Sequence, residues 1–272
     1  MTFISINFQL YKAEEAKILV TDLALQRGYG IFDFLKTINN QIIFKEDHFN
    51  RFYNSAKELN LQIDFSRKEL LHGINDLMAK NIMPNSGIKF ILTGGYSEDG
   101  YTIAKPNLVI TQVPFEVPYD SINKGIRLVT YNHQRQLAAV KTIDYLQAIR
   151  LQPYIKENGA SDVLYHHNES IRECPRANFF MVKGNEVFTP KTDILKGVTR
   201  NKVLLLENEA YTVKEIDFTL DDLNEATEAF ITSSTKNILP ILAIDGKTIG
   251  DGKPGKLTTL IYDQILQIIH QN

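Results

Sequence analysis

Lys141 is the first residue whose surroundings suggest chemistry. It lies in Leu137-Ala138-Ala139-Val140-Lys141-Thr142-Ile143-Asp144-Tyr145-Leu146, between small apolar residues and a helix-like run. A lysine so placed is partly desolvated, which disfavours the ammonium and leaves a nucleophilic amine. The alternative is an ordinary ammonium that reaches water past a buried stem. Three other polar segments interrupt apolar runs. In Ser170-Ile171-Arg172-Glu173-Cys174-Pro175-Arg176-Ala177-Asn178, Glu173 ends one strand-like run five residues before Asn178 opens the next. A carboxylate held there suits a cationic ring nitrogen, or simply an ion pair with Arg172 or Arg176. Leu195-Lys196-Gly197-Val198-Thr199-Arg200 reads as a glycine turn opening a helix, whose first N–H groups suit a phosphate. Thr232-Ser233-Ser234-Thr235 sets four hydroxyls after a strand, as phosphate donors or as a capping cluster before Ile238.

Other chemistries are missing their residues. There is no G-x-x-x-x-G-K-[ST] loop, no H-E-x-x-H and no G-x-S-x-G elbow. His166 and His167 are adjacent, so a strand points them oppositely and they make poor co-ligands. Cys174 is the single cysteine, which excludes an internal disulfide and a Cys-based zinc site. As a nucleophile it would need an activating base, and it reads as a packed residue. The net charge of -2 leaves no basic field for nucleic acid. No apolar run approaches the roughly 18–20 residues of a membrane span, and the N-terminus lacks signal-peptide features. A cytoplasmic globular protein follows.

The elements that must position these groups alternate between strand and helix patterns. Ile18-Leu19-Val20, Ile31–Leu35 and Gln41–Phe44 read as strands, the last after an Asn39-Asn40 turn. Helical spacing then runs from Asp47, a candidate cap, through Leu59, and again from Ser66 to about Asn81. Strands follow at 87–92 and 108–111, with the Gly- and Tyr-rich segment 94–101 between them. Pro114 to Asn123 reads as a linker. Beyond it come a strand at 126–130, a helix from about Asp144 to Glu157, strands at 163–165, 179–182, 187–188 and 229–232, a helix after Gly197-Val198, and a closing helix with an apolar stripe from Leu257 to Ile269. The expected fold is α+β in two domains: 1–118 as a smaller N-terminal domain, 119–125 as linker, 126–272 as the larger, cofactor-binding domain.

The order of lysine, acid, glycine turn and hydroxyl cluster resembles the class IV (fold-type IV) pyridoxal-phosphate enzymes: branched-chain aminotransferases, D-amino acid aminotransferases and aminodeoxychorismate lyases. Asp22-Leu23-Ala24-Leu25-Gln26-Arg27-Gly28-Tyr29-Gly30-Ile31-Phe32-Asp33 is similar to the family's D-x-x-x-x-x-G-x-G-[VI]-F-E segment. His48-Phe49-Asn50-Arg51-Phe52-Tyr53-Asn54-Ser55-Ala56 is similar to its H-x-x-R-L-x-x-S-A helix. The resemblance implies that Lys141 forms a Schiff base with pyridoxal 5'-phosphate and moves the Cα proton, and that Glu173 pairs with the pyridine nitrogen. It implies that Arg51, Gly197, Val198, Thr199, Ser233 and Ser234 bind phosphate, with Asn178 beside the cofactor. Phe32, Phe34, Lys36 and Tyr96 fall on the substrate side. Arg176 either meets a substrate carboxylate or pairs with Glu173.

Some positions depart from the family pattern. Asp144 replaces the usual Asn, Phe34 stands where branched-chain enzymes tend to have glycine, and Lys36 replaces arginine. The arginine-histidine carboxylate trap of D-amino acid enzymes is not evident in 95–101. The implied activity is ping-pong amino transfer between a small, branched-chain-like amino acid and a 2-oxo acid. An aminodeoxychorismate lyase releasing pyruvate, a D-amino acid aminotransferase, or a non-catalytic cofactor-binding protein are the alternatives. The resemblance also implies a homodimer, with the active site between the domains and near the subunit interface; no nucleic-acid or membrane partner is expected.

Overall fold

Residues 30–38 alternate between two environments, and that alternation organises the first half of the chain. The computed structural model describes residues 2–116 and 118–271. Met1, Asn272 and Val117, which falls within the Pro114–Asn123 stretch read as linker, lie outside the described residues. The chain divides into two compact units, Met1–Glu116 with Val140–Asp144, and Val117–Ala139 with Tyr145–Asn272.

The first unit is built from β1 (Phe3–Ile6), β2 (Gln9–Lys12), α1 (Leu23–Arg27), β3 (Gly30–Ile38), β4 (Gln41–Ile42), α2 (Lys45–Glu58), α3 (Arg67–Asn81), β5 (Ser86–Thr93) and β6 (Leu108–Pro114). Its sheet has the order β2-β1-β6-β5-β3-β4. Ile31, Asp33 and Leu35 of β3 face the core beneath α2 and α3, where Phe49, Phe52, Leu70, Ile74 and Phe90 are buried. Phe32, Phe34 and Lys36 take the opposite face, because successive strand residues point oppositely. Ser66 and Glu69 form a capping box at the start of α3. The α2 start departs from the sequence expectation. Phe44, in the left-handed region, is the N-cap, and Asp47 lies inside the first turn with Glu46, where both acids favour the helix dipole. Ile18-Leu19-Val20 forms no strand. It turns into Asp22, which caps α1, and Leu19 and Val20 stay exposed. The hairpin β1–β2 had no clear signal in the sequence.

The second unit contains α4 (Ser121–Lys124), β7 (Ile126–Asn132), α5 (Leu146–Arg150), α6 (Gln152–Glu157), β8 (Asp162–His167), β9 (Ser170–Ile171), β10 (Glu173–Cys174), β11 (Ala177–Lys183), β12 (Glu186–Thr189), α7 (Val198–Leu204), β13 (Thr212–Glu215), β14 (Glu228–Ser233), β15 (Asn237–Ile244), β16 (Lys247–Thr248) and α8 (Lys256–Gln271). Its ten-stranded sheet runs β13-β12-β11-β14-β15-β7-β8-β9, with β10 on β11 and β16 on β15. Phe179, Ile231, Leu164 and Ile241 are central to its core. The helix expected over 144–157 is broken into α5 and α6. Pro153 sits in the first turn of α6, where its missing N–H and fixed φ start a helix but cannot continue one. In α8 the stripe is buried at Ile261, Ile265 and Ile269, and Glu228 accepts the Leu257 and Thr258 N–H groups at its start.

Candidate active site

Lys141 belongs to the first unit, although the sequence boundary assigned residues 126–272 to one domain. The reason is a short antiparallel pairing with β3. The Phe32 N–H donates to the Lys141 carbonyl at 3.0 Å, and the Ile143 N–H to the Gly30 carbonyl at 3.1 Å. The Lys141 N–H donates to Ser55 Oγ of α2 at 3.3 Å, and Val140 is buried in the core of this unit. The backbone of the lysine is therefore anchored to a strand and a helix. Its Nζ stands 4.6 Å from the centre of the Phe32 ring, and Lys89 Nζ of β5 stands 4.8 Å from the same ring. A ring face attracts ammonium groups electrostatically.

Behind Phe32, on the core face, Asp33 gathers two α2 side chains spaced one turn apart. Arg51 donates to both carboxylate oxygens, Nε to Oδ2 at 2.8 Å and Nη2 to Oδ1 at 2.7 Å. His48 Nδ1 lies 2.7 Å from Oδ1. Burial alone would raise the Asp33 carboxyl, but Arg51 and His48 outweigh it and hold that carboxyl well below the usual range. Burial pushes His48 down, Arg51 and Lys141 push the same way, and the Asp33 contact only partly opposes them. His48 is thus read as a neutral ring donating from Nδ1 to an ionised carboxylate, with Arg51 locked in a two-point fork. The fork leaves the Nη1 hydrogens of Arg51 for a further acceptor. On the other face, the Phe34 ring lies across Gly87 of β5, where a Cβ would collide with it, and packs edge-on against Phe115. Lys36 is only 3% exposed, and burial pushes its amine down to about 8. Tyr96 sits in the 94–105 loop, bridged to Asp22.

In the second unit the β10–β11 hairpin sets Glu173 opposite Asn178. The Glu173 carboxylate is 4% exposed, and each oxygen is held. Arg135 Nη1 donates to Oε1 at 2.8 Å, while Asn178 Nδ2 and the Leu195 N–H donate to Oε2, both at 3.1 Å. This answers the ion-pair alternative differently from the sequence reading: the arginine on Glu173 is Arg135, not Arg172 or Arg176. Arg172 turns to Gln134 and Asp193, and Arg176 is exposed at the hairpin turn. Gly197 has φ -66, so no left-handed turn demands glycine there. Space does, because a Cβ would collide with Asn178 Oδ1. Gly197 caps α7 without a side-chain hydrogen bond, and Val198 and Thr199 are buried in its first turn.

Asn178 also pairs in register with Thr232, which brings the end of β14 beside the same hairpin. Ser233 Oγ lies 3.2 Å from Thr235 Oγ1 and accepts the Lys236 N–H at 3.1 Å, a capping contact in which its oxygen is the acceptor. Thr232 Oγ1 is buried with no hydrogen-bond partner among the described residues. Cys174 is packed, and burial together with Asp162 pushes its thiol up, away from nucleophilic use. Sequence reasoning missed Arg135, which stands in no motif, and Lys89. It quoted Asp33 and His48 without a role. Their signal was the one-turn spacing of His48 and Arg51 opposite a carboxylate placed where β3 should have been apolar.

The sequence model of the family described as amino-transferase class IV matches residues 30–244. The chain belongs to the class IV aminotransferases. These are pyridoxal-phosphate enzymes, and the reading as a cofactor-dependent transferase of fold type IV stands. Curated relatives include the D-alanine aminotransferase of Staphylococcus haemolyticus, 27% identical over 97% of this chain and 96% of its own length. That of Listeria monocytogenes is 28% identical over 97% and 95%. Among solved structures, the branched-chain amino acid aminotransferase of Escherichia coli superimposes with a TM-score of 0.91 at 23% identity, over 98% of this chain and 94% of that one. Another branched-chain amino acid aminotransferase, solved with pyridoxamine 5'-phosphate, gives 0.91 at 22%, over 100% and 95%. At those identities the solved structures speak for fold alone. Taken unit by unit, the donors suit the cofactor chemically: an anchored amine in the first, and in the second a buried carboxylate, helix N–H groups without a side-chain cap, and a buried hydroxyl with no partner among the described residues.

Proposed function

We propose that this aminotransferase exchanges an amino group between a small amino acid and a 2-oxo acid, with Lys141 as the covalent attachment point. The backbone anchoring of Lys141 to β3 and α2 carries the reading, since an amine on a rigid mount returns to one position after each proton transfer. Pyridoxal phosphate, when bound, supplies an electron sink for the Cα carbanion. Glu173 would orient and charge-balance the pyridine nitrogen. Arg51 Nη1, the Val198 and Thr199 N–H groups and the hydroxyls of Ser233 and Ser234 would hold the phosphate, with Asn178 keeping Glu173 in place. Phe32, Phe34, Lys36, Tyr96 and Arg176 would shape the substrate side. Phe34, bulky where branched-chain enzymes tend to have glycine, favours a small side chain. The names of the curated relatives make D-alanine the first amino donor to assay.

The test begins with borohydride reduction of the loaded protein and mapping of the labelled peptide. Label on Lys141, lost with the chromophore in Lys141→Ala, is the expected result; label on another lysine refutes the assignment. A panel of L- and D-amino acids, followed by the bound chromophore, then reads the substrate.

The chain is further proposed to act as a homodimer in the cytoplasm. Leu19, Val20, Leu25, Tyr101 and Ile103 are exposed on two segments that hydrogen bonds join, from the Ser97 N–H to the Thr21 carbonyl and from Arg27 Nε to the Gly100 carbonyl. Apolar side chains grouped in this way mark interaction surfaces. Among the described residues, no helix is long and apolar enough to cross a membrane.

A further inference from the structure

Arg135 lies just past β7, six residues before Lys141, and one of its nitrogens serves two acceptors. Nη1 is 2.8 Å from Glu173 Oε1 and 3.2 Å from the Ala138 carbonyl. The other oxygen of Glu173 is held by neutral donors, Asn178 and the Leu195 N–H. These contacts put a full positive charge against Oε1 and backbone and amide dipoles against Oε2, on a carboxylate that is almost wholly buried. Titratable neighbours among the described residues include Asp162, Tyr165, Cys174 and Lys236. Burial and Asp162 push the hydroxyl of Tyr165 and the thiol of Cys174 up, so both stay neutral. Arg135 is a cation in direct contact with Glu173.

We propose that Arg135 is a positioning residue that keeps the proton shared by Glu173 and the cofactor's ring nitrogen on the nitrogen. This rests on the role given to Glu173 above. A carboxylate and a pyridine nitrogen joined by one hydrogen bond share one proton. In a buried site the neutral arrangement, acid and uncharged ring, competes strongly with the ion pair, because burial penalises both charges. A guanidinium acts most on the atom it touches, since Coulomb energy falls with distance. Arg135 thereby lowers the proton affinity of Glu173 more than that of the ring, and arginine does not itself give up a proton. The proton stays on nitrogen, where it strengthens the electron sink. Through the Ala138 carbonyl the same Nη1 also fixes the segment that leads to Lys141.

The experiment loads wild type, Arg135→Gln and Arg135→Lys with cofactor carrying 15N at the ring nitrogen, and reads the nitrogen resonance by NMR. Wild type is expected in the protonated range. Arg135→Gln should move toward the unprotonated range, and Arg135→Lys, which keeps the charge, should recover most of the difference. In steady state, Arg135→Gln should lower kcat on the order of tenfold with KM for the amino acid little changed. An Arg135→Gln resonance at the wild-type position overturns the proposal. If that variant does not retain cofactor, Arg135→His supplies the same test between about pH 5 and pH 9. Its resonance should follow the charge of the imidazole, and a resonance that ignores it overturns the proposal equally. Borohydride labelling separates the two levels. Wild type without label on Lys141 sinks the parent reading, whereas labelled variants with unmoved resonances sink only the role of Arg135.

Discussion

Two charged side chains on β3 show how differently neighbouring positions are treated. Asp33 is fully buried, yet three donated contacts keep it ionised, so its charge belongs to the structure and orients Arg51. Lys36 is buried on the opposite face, and burial pushes it down to about 8. The folded state therefore holds fewer protons than the unfolded state between about pH 8 and the usual lysine range, and stability should rise with pH across that window. Lys36→Met should raise unfolding stability at pH 7 by roughly 2–3 kcal/mol and flatten the rise above about pH 8. Urea denaturation at about pH 7 and pH 10 checks both, and an unchanged slope would show that another group carries it.

At the scale of elements, the most informative junction is where β10, β11 and the start of α7 meet. Gly197 is needed there for close approach rather than for a special backbone conformation. Gly197→Ala must push Asn178 Oδ1 aside, and Asn178 holds both Glu173 and the Leu195 carbonyl. The variant should lose about 1–3 kcal/mol of stability to overpacking. It should also release cofactor faster on dilution, read from the bound chromophore. Wild-type retention would mean that Asn178 does not support the cofactor side of Glu173. The helix over 144–157 teaches a related lesson. Its apolar spacing was legible, but Pro153 decided that it would be two short helices.

For the whole molecule, the exposed apolar group on 19–25 and 101–103 is the feature least explained by a single chain, with Tyr101 84% exposed. Leu25→Ser with Tyr101→Ser should convert a dimer into a monomer in analytical ultracentrifugation while leaving the far-ultraviolet spectrum intact. Retention of the dimer would move the interface elsewhere.

Much of this protein was written locally. Lys141, Glu173 and the Thr232–Thr235 hydroxyls stood out because each is polar at the edge of an apolar run, Gly197 because it opens a helix, and their order pointed to the family. The strands at 31–35, 87–92 and 179–182 and the helices expected over 47–59 and 66–81, observed at 45–58 and 67–81, followed from side-chain period, which is a property of the chain alone. What the sequence could not supply was partnership. Nothing in its spacing says that Arg135, rather than Arg172 or Arg176, meets Glu173, that residues 140–144 join the first unit, or that Gly197 makes room for Asn178. Those outcomes depend on which distant segments arrive at the same place. Hydrogen bonds and ion pairs act over a few ångströms of space whatever the separation along the chain, so only the folded arrangement decides them.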